Sequence, residues 1–397
     1  LINSLGSGGA ERVVVRLSEH LRIEKIFLLE KDIKYEIDKK KLCIISNHTT
    51  KTNPIFKMFY IPFYAKSLAS NLNEGDTVIS FLERANFVNI MTKKYKKHKA
   101  IISVRMDQAE GHKGLRKLNK FLVKLLYPKA DLIVAVSQGV KKSLINLGIA
   151  EEKIKVIYNP YPISQLQEKA QEIIDDIFEN LSYLITVGRL TKEKGQWYLI
   201  RIFKELKKDF PELKLLILGE GELKDYLVSL SERLGLKTFV WDRDVLSENY
   251  DVYFLGFQKN PFKYISKSKV FVFPSLWEGF PNALVEAMVC GVPVVSTDCK
   301  SGPREIIAPN TDFDYQTDKP EFAEYGILMP PFEVKFKKAD EPLEEKERMW
   351  VDVLKKLLKD ENLRRNYGEK AILRAKDFEL EKIVNEWGKI LEEVKGL

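Results

Sequence analysis

The chain has 397 residues, 45% hydrophobic and 31% charged, with a formal net charge of +8. That composition excludes a disordered polymer, and the length exceeds one ordinary core, so two domains are expected. Three cysteines (Cys43, Cys290, Cys299) and four histidines exclude a disulfide framework and argue against a zinc site, which fits a reducing, cytoplasmic setting.

Residues 1–175 hold 30 Lys/Arg against 18 Asp/Glu, a balance of +12 that leaves −4 for the remainder. An anionic partner is therefore expected on the first half. No apolar run approaches the length needed to cross a bilayer and no secretory leader is visible; the chain opens at Leu1 on strand-like residues, so a few residues are expected ahead of it.

Short apolar runs alternate with amphipathic stretches, the pattern of α/β layers around parallel sheets. In the first half strands are expected at Leu1–Leu5, Lys25–Leu29, Lys41–Ser46, Thr77–Phe81, Ala100–Val104, Leu132–Val136 and Lys153–Ile157. Helices are expected at Ala10–Leu21, Pro54–Leu72, Asn86–Tyr95, Leu115–Tyr127 and Val140–Asn146. The polar, Pro-interrupted Tyr158–Asp176 reads as a linker. A second series of strands follows at Leu181–Val187, Leu213–Leu218, Val252–Leu255, Val270–Phe273 and Val292–Ser296. Thr238–Tyr250 and Pro309–Pro342 read as irregular, and three helices close the chain. The expected domains are 1–158, a linker at 159–180, and 181–378 with an insertion at 309–342. A helix at 379–397 is expected to pack back on the first domain.

The richest segment is Phe273–Pro303, FPSLWEGFPNALVEAMVCGVPVVSTDCKSGP. A strand ends at Pro274, a loop holds Gly279, Phe280 and Pro281, and a helix begins near Asn282, where unpaired backbone N–H groups favour anions. Glu278 precedes that helix and Glu286 lies one turn inside it, so one carboxylate can hold sugar hydroxyls and the other ribose hydroxyls. In LITVGRLTKEKG, Gly188 ends a strand, Arg189 follows it and Lys194 opens the next helix. Such cations can grip a diphosphate, Arg bidentately and Lys as a compact charge. The glycines of LGEGEL (Gly219) and FLGF (before Phe257) permit close backbone approach to a flat base.

These segments resemble the family 4 glycosyltransferases, over nearly the whole chain and most firmly at Leu184–Lys194, Leu216–Leu223 and Phe254–Pro303. The resemblance implies the GT-B architecture: two Rossmann-like domains with parallel sheets facing across a cleft. It implies that Glu278 contacts the donor sugar, Glu286 the ribose, Arg189 and Lys194 the pyrophosphate, and Gly219 and Phe257 the base, commonly uracil. It also implies retention of anomeric configuration. The opening loop Gly6–Val14 could pass for a dinucleotide fingerprint, but Glu11 replaces the third glycine. By the resemblance Gly8 and Gly9 face the donor phosphates and the acceptor. Arg105 stands where many members carry a histidine near the reacting sugar, beside Asp107.

Lys113, Lys117, Lys120 and Lys124 recur at helical spacing, a stripe suited to anionic lipid or a lipid diphosphate; a solvated helix is the bland alternative. No nucleic-acid module accompanies the charge. The expected activity is a retaining hexosyltransferase moving a hexose or N-acetylhexosamine from a nucleotide diphosphate sugar to a glycan or lipid-linked saccharide, peripheral on the inner face of the membrane. No cofactor or metal is expected, since Asp242-Arg243-Asp244 has the letters of a DxD element inside an irregular stretch. A nucleotide-sugar epimerase and a silent nucleotide-sugar binder are the alternatives.

Overall fold

The computed structural model describes residues 1–397 apart from Ser7, Glu36, residues 107–115 and Leu397, and apart from the side chains of Arg116, Lys117 and Asp176. The chain divides into two units, Leu1–Pro160 with Leu380–Leu397, and Tyr161–Glu379.

Among the described residues of the first unit the apolar runs form six parallel strands: β1 Ile26–Leu28, β2 Leu42–Ile44, β3 Thr77–Phe81, β4 Lys99–Val104, β5 Leu132–Ala135 and β6 Ile154–Val156. They make ladders β1-β2 and β3-β4-β5-β6. Leu1–Leu5, expected as a strand, makes only isolated bridges, Ile2 to Leu28 and Leu5 to Ile33. Backbone bonding to the neighbouring segment continues beyond those bridges, Glu30 N–H donating to Asn3 O at 2.8 Å and Leu5 N–H to Asp32 O at 2.9 Å. Leu1–Ile2 nonetheless joins the two ladders: Ile2 N–H donates to Phe27 O at 3.0 Å, and Phe81 N–H donates to Leu1 O at 2.9 Å. The resulting order, β2-β1-(Leu1–Ile2)-β3-β4-β5-β6, is the doubly wound pattern, with its reversal at the opening segment.

The helix expected over Pro54–Leu72 is two, Pro54–Phe59 and Ile61–Ala69. Asn53 caps the first by accepting from Ile55 N–H at 2.9 Å. Pro62 stands at the start of the second, where a residue with no N–H and a fixed φ opens a helix and interrupts one already running. The last helix, Leu380–Gly396, buries Ile383, Trp387, Ile390 and Val394 in the same core as Leu28, Phe81 and Val134.

The second unit carries β7 Tyr183–Val187, β8 Lys214–Leu218, β9 Thr238–Val240, β10 Val252–Gly256, β11 Val270–Phe273, β12 Val294–Thr297, β13 Glu321–Phe322 and β14 Ile327–Met329. The sheet order is β13-β14-β12-β11-β7-β8-β10-β9, parallel except for β13 against β14. Two expectations fail here. The linker stretch contains a helix, Ile163–Ala170, whose Ile163, Leu166 and Ala170 are buried and which belongs to the second unit. The segments expected to be irregular contain β9 and β14, both fully buried. Residues 333–342, inside the supposed insertion, are strapped down by Trp197 Nε1 donating to Lys335 O (3.0 Å), Tyr198 OH to Glu333 O (2.8 Å) and Tyr226 OH to Lys337 O (2.7 Å). Beneath the strap Arg201, 2% exposed, makes a bidentate pair with buried Glu347 at 2.7 and 3.1 Å and donates to the carbonyls of Glu341 and Pro342. Such a pair holds a loop in one place because a lost partner would strand a charge in the core.

Candidate functional site

Strand order in the second unit reverses at β7. The chain runs outward through β8 to β9 at the edge, inserts β10 between those two, then returns to lay β11 on the other side of β7. In open parallel sheets the crevice beyond the carboxyl ends at such a reversal is where ligands sit. The two loops that leave this point are Gly188–Gly195 after β7 and Pro274–Pro281 after β11. Leu276 N–H donates to Glu193 O at 2.8 Å and ties them together.

Their side chains meet as well. Lys194 Nζ lies 2.5 Å from Glu278 Oε1, with 18% and 10% of the two side chains exposed. Lys194 also stands over the Phe273 ring at 5.2 Å. Arg189 is 72% exposed and held at 2.9 Å from Glu193. Burial opposes ionisation of Glu193, but local hydrogen bonds and the charges of Arg189 and Lys194 hold its carboxyl below the ordinary 4.5. Cys299 is buried beside this group; burial first, then the Glu278 charge, pushes its thiol up. Neither Glu193 nor Cys299 is among the site residues the sequence suggests; Glu193 stands between Lys192 and Lys194 with no spacing to set it apart.

The glycine loops join the same crevice. Gly188 N–H donates to Leu218 O (2.9 Å), Gly219 N–H to Gly256 O (2.8 Å) and Leu190 N–H to Glu220 O (2.9 Å), so the ends of β7, β8 and β10 are laced together. Gly219 has φ +136°, and a Cβ there would fall 2.0 Å from Gly188 O, so only glycine allows this contact. Phe257 is exposed at the end of β10. Trp241, which nothing in the sequence marked, packs against Gly256 and carries Lys224 over its ring at 4.5 Å. Asp242 pairs with that Lys224 at 2.5 Å, and Asp244 accepts from Val240 N–H at 2.9 Å, so the two acids of the DxD lookalike serve different partners.

Helix Asn282–Val289 starts after Pro281, and no side chain caps it among the described residues. The positive end of its dipole lies at Asn282, where negative charge is favoured. Asn282 Oδ1 accepts from Tyr161 OH at 2.6 Å, and Phe280 sits edge-on to Phe378 at 5.4 Å. Gly279–Pro281 pack against Gly302. Glu286 is 4% exposed, one turn beyond Asn282. The second unit thus brings Gly188, Arg189, Lys194, Gly219 and Glu278 to one crevice, with the helix start and Glu286 following directly from the Glu278 loop.

The remaining candidates lie in the first unit. Gly8 precedes helix Gly9–His20 and accepts from Tyr35 OH at 3.2 Å. Arg105, at the end of β4, donates to Asn159 Oδ1 and lies 3.5 Å from Ser103 Oγ, with its guanidinium 5.8 Å from the Phe81 ring centroid. Its alternative partner Asp107 lies outside the described residues. Glu30, which follows β1, forms a buried cluster with Arg84 and Lys57 (3.1 Å to Lys57), a structural use of the acid. Lys120 and Lys124 lie on helix Arg116–Leu126; Lys113 and the Lys117 side chain lie outside the described residues.

Residues 167–318 match the family model for glycosyl transferases group 1, and residues 92–165 that for glycosyltransferase family 4. An uncharacterized glycosyltransferase of Methanocaldococcus jannaschii is 38% identical over 91% of this chain and 90% of its own. The N-acetylgalactosamine-N,N'-diacetylbacillosaminyl-diphospho-undecaprenol 4-alpha-N-acetylgalactosaminyltransferase of Campylobacter jejuni is 36% identical over 97% of this chain and 96% of its own. The crystal structure of Anabaena HepE with UDP superposes with a TM-score of 0.74 at 19% identity, covering 99% of this chain and 98% of that one, a likeness of fold. With two relatives matched over nearly their full length and a GT-B neighbour in structure, the chain belongs to the family 4 glycosyltransferases of the GT-B fold.

Proposed function

We propose that this protein transfers a hexose or N-acetylhexosamine from a UDP-sugar to a lipid-linked saccharide, with retention of configuration and without a divalent metal. The observation that carries the reading is the meeting of Lys194 and Glu278 at the reversal point of the sheet, at 2.5 Å. The Campylobacter relative, which acts on an undecaprenyl diphosphate-linked saccharide, supports the acceptor class. The neighbouring structures with UDP and UDP-glucose support the donor class.

Breaking the bond from sugar to diphosphate puts negative charge on the leaving phosphate and positive charge on the ring. Arg189, Lys194 and the helix start at Phe280–Asn282 offset the first, using fixed charges and dipoles that need no reorganisation. Before the donor arrives, Lys194 and Glu278 neutralise one another. The diphosphate then takes Lys194, which frees Glu278 to accept from the sugar's hydroxyls. Glu286 holds the ribose, and the acceptor hydroxyl attacks on the face the diphosphate leaves, its proton passing to the departing phosphate oxygen as the sugar–phosphate bond breaks.

The test is a thermal-shift screen of nucleotide sugars, followed by turnover of the stabilising donor with a diphosphate-linked saccharide. The expected products are UDP and a lengthened acceptor. Glu278→Gln should slow transfer by about a hundredfold or more while the fold persists. Unchanged transfer in that variant would overturn the assignment, an isomerised donor would make the protein an epimerase, and donor binding without nucleotide release would make it a silent binder.

A further inference from the structure

Of the two cations at the sheet reversal, Lys194 is largely buried and Arg189 is 72% exposed. A long side chain that open ordinarily samples many rotamers, and a ligand that uses it must first immobilise it. Arg189 is held already: its Nη2 donates to Glu193 Oε1 at 2.9 Å, and the Glu193 side chain is itself only 21% exposed. Its Nε and Nη1 make no hydrogen bond among the described residues. Glu193 in turn is fixed through its backbone. It is the middle residue of the turn Lys192–Lys194, which Gly195 closes at φ +61°. Its carbonyl accepts from Leu276 N–H at 2.8 Å, and a Cβ on Gly195 would fall 2.5 Å from Pro274 O, so the turn lies hard against the loop after β11. Gln196, 1% exposed, donates from Nε2 to Arg189 O at 2.9 Å. The backbone and the side chain of Arg189 are therefore both held by one short segment.

The ordinary explanations of the Arg189–Glu193 pair fail. A spacing of four residues pairs charges along an α-helix, but residues 189–191 are not helical, and the chain folds back to bring the two side chains together. An ion pair with one partner this exposed contributes little to folding. Charge alone makes Glu193 a poor neighbour for a diphosphate, since a carboxylate beside that seat repels it. That repulsion is offset if Glu193 prepares Arg189 for the ligand. Resting on the donor reading above, we propose that Glu193 is a positioning residue for the diphosphate: it holds the Arg189 guanidinium in place through Nη2 and leaves Nε and Nη1 to the phosphate oxygens. The donor then meets a cation that is ordered before it arrives, with its fork available for paired contacts.

The test is calorimetric titration of UDP and of inorganic pyrophosphate into the full chain, Glu193→Gln, Arg189→Gln and the double variant. Glu193→Gln should weaken both ligands about three- to tenfold, the cost of immobilising one long side chain on binding, even though it removes a negative charge beside them. In the Arg189→Gln background the same substitution should leave affinity unchanged or raise it, a non-additivity that a merely structural role would not produce. Ligand-free melting within a few degrees of wild type at neutral pH would certify the fold of each variant. Equal or tighter binding by Glu193→Gln would overturn the proposal, as would an equal loss with and without Arg189. A wild type that binds pyrophosphate with this coupling but ignores UDP would leave Glu193 its role and sink the donor reading. A wild type that binds neither would overturn both.

Discussion

Gly219→Ala is the sharpest test of how the crevice of the second unit is built. The position has φ +136°, a region that costs an L-residue about 1–3 kcal/mol. The new Cβ would also lie 2.0 Å from Gly188 O and 2.8 Å from Gly188 C, far inside the ~3.5–4.0 Å at which carbon contacts are favourable. Both neighbours are backbone, so relief requires the peptide between Gly188 and Arg189 to move, at about 1–3 kcal/mol more. The sum is about 2–6 kcal/mol. For a unit of this size, at about 2–4 °C per kcal/mol, the melting transition should fall by about 10 °C. Gly235→Ala is the control: it also has positive φ (+71°), but its nearest neighbour is the flexible Lys204 Nζ at 3.7 Å. It should therefore cost only the about 1–2 kcal/mol of left-handed backbone. Calorimetry of both variants, with UDP titrations beside it, gives the answer. Gly219→Ala should also bind UDP more weakly, because the displaced peptide carries Arg189. Equal melting temperatures for the two alanine variants would refute the reasoning.

Other expectations follow from single contacts. Lys194→Met keeps the stem and removes the charge; it should abolish donor-induced stabilisation and cost about 1–3 kcal/mol by stranding Glu278. Adding Glu278→Gln should restore stability but not transfer, which a double-mutant cycle in urea would read. Arg201→Met should cost about 3–5 kcal/mol in urea unfolding, and Arg201→Met/Glu347→Leu should recover most of it. Glu193, held below its ordinary 4.5 in the fold, contributes stability that is present above 4.5 and lost as pH falls through its lower folded value. Glu193→Gln should therefore lose less melting temperature than the wild type on acidification below 4.5 in a pH series.

The second half was the more legible in sequence, because its strands are continuous apolar runs buried on both faces and its loops carry unusual letters. Leu184–Val187 and Val270–Phe273 needed no context to be recognised. β14 did not stand out, since three apolar residues among Pro, Asp and aromatics carry no period; only its neighbour β12 makes it a strand. Ile163–Ala170 was hidden by flanking prolines that mark turns in a linker as readily as a helix start. Arg201 sits in a run, WYLIRIFKEL, where a charged residue looks solvent-facing. Its burial depends on Glu347, 146 positions away, which no local pattern reports. The candidate acids and cations were legible as residue types, but that Lys194 and Glu278 touch is a property of the sheet reversal, invisible to spacing.

The final helix has a consequence for biosynthesis. Ile383, Trp387, Ile390 and Val394 complete the core that Leu28, Phe81 and Val134 begin, with all of Tyr161–Glu379 threaded between. At about 5–20 residues per second, a ribosome takes roughly 11–44 s to add those intervening residues. For that interval the nascent amino-terminal sheet holds an uncovered apolar face, while the segment after it can already collapse on its own. A fragment ending at Pro160 would stay in that unfinished state permanently, so the two units cannot be cut apart by a single stop codon.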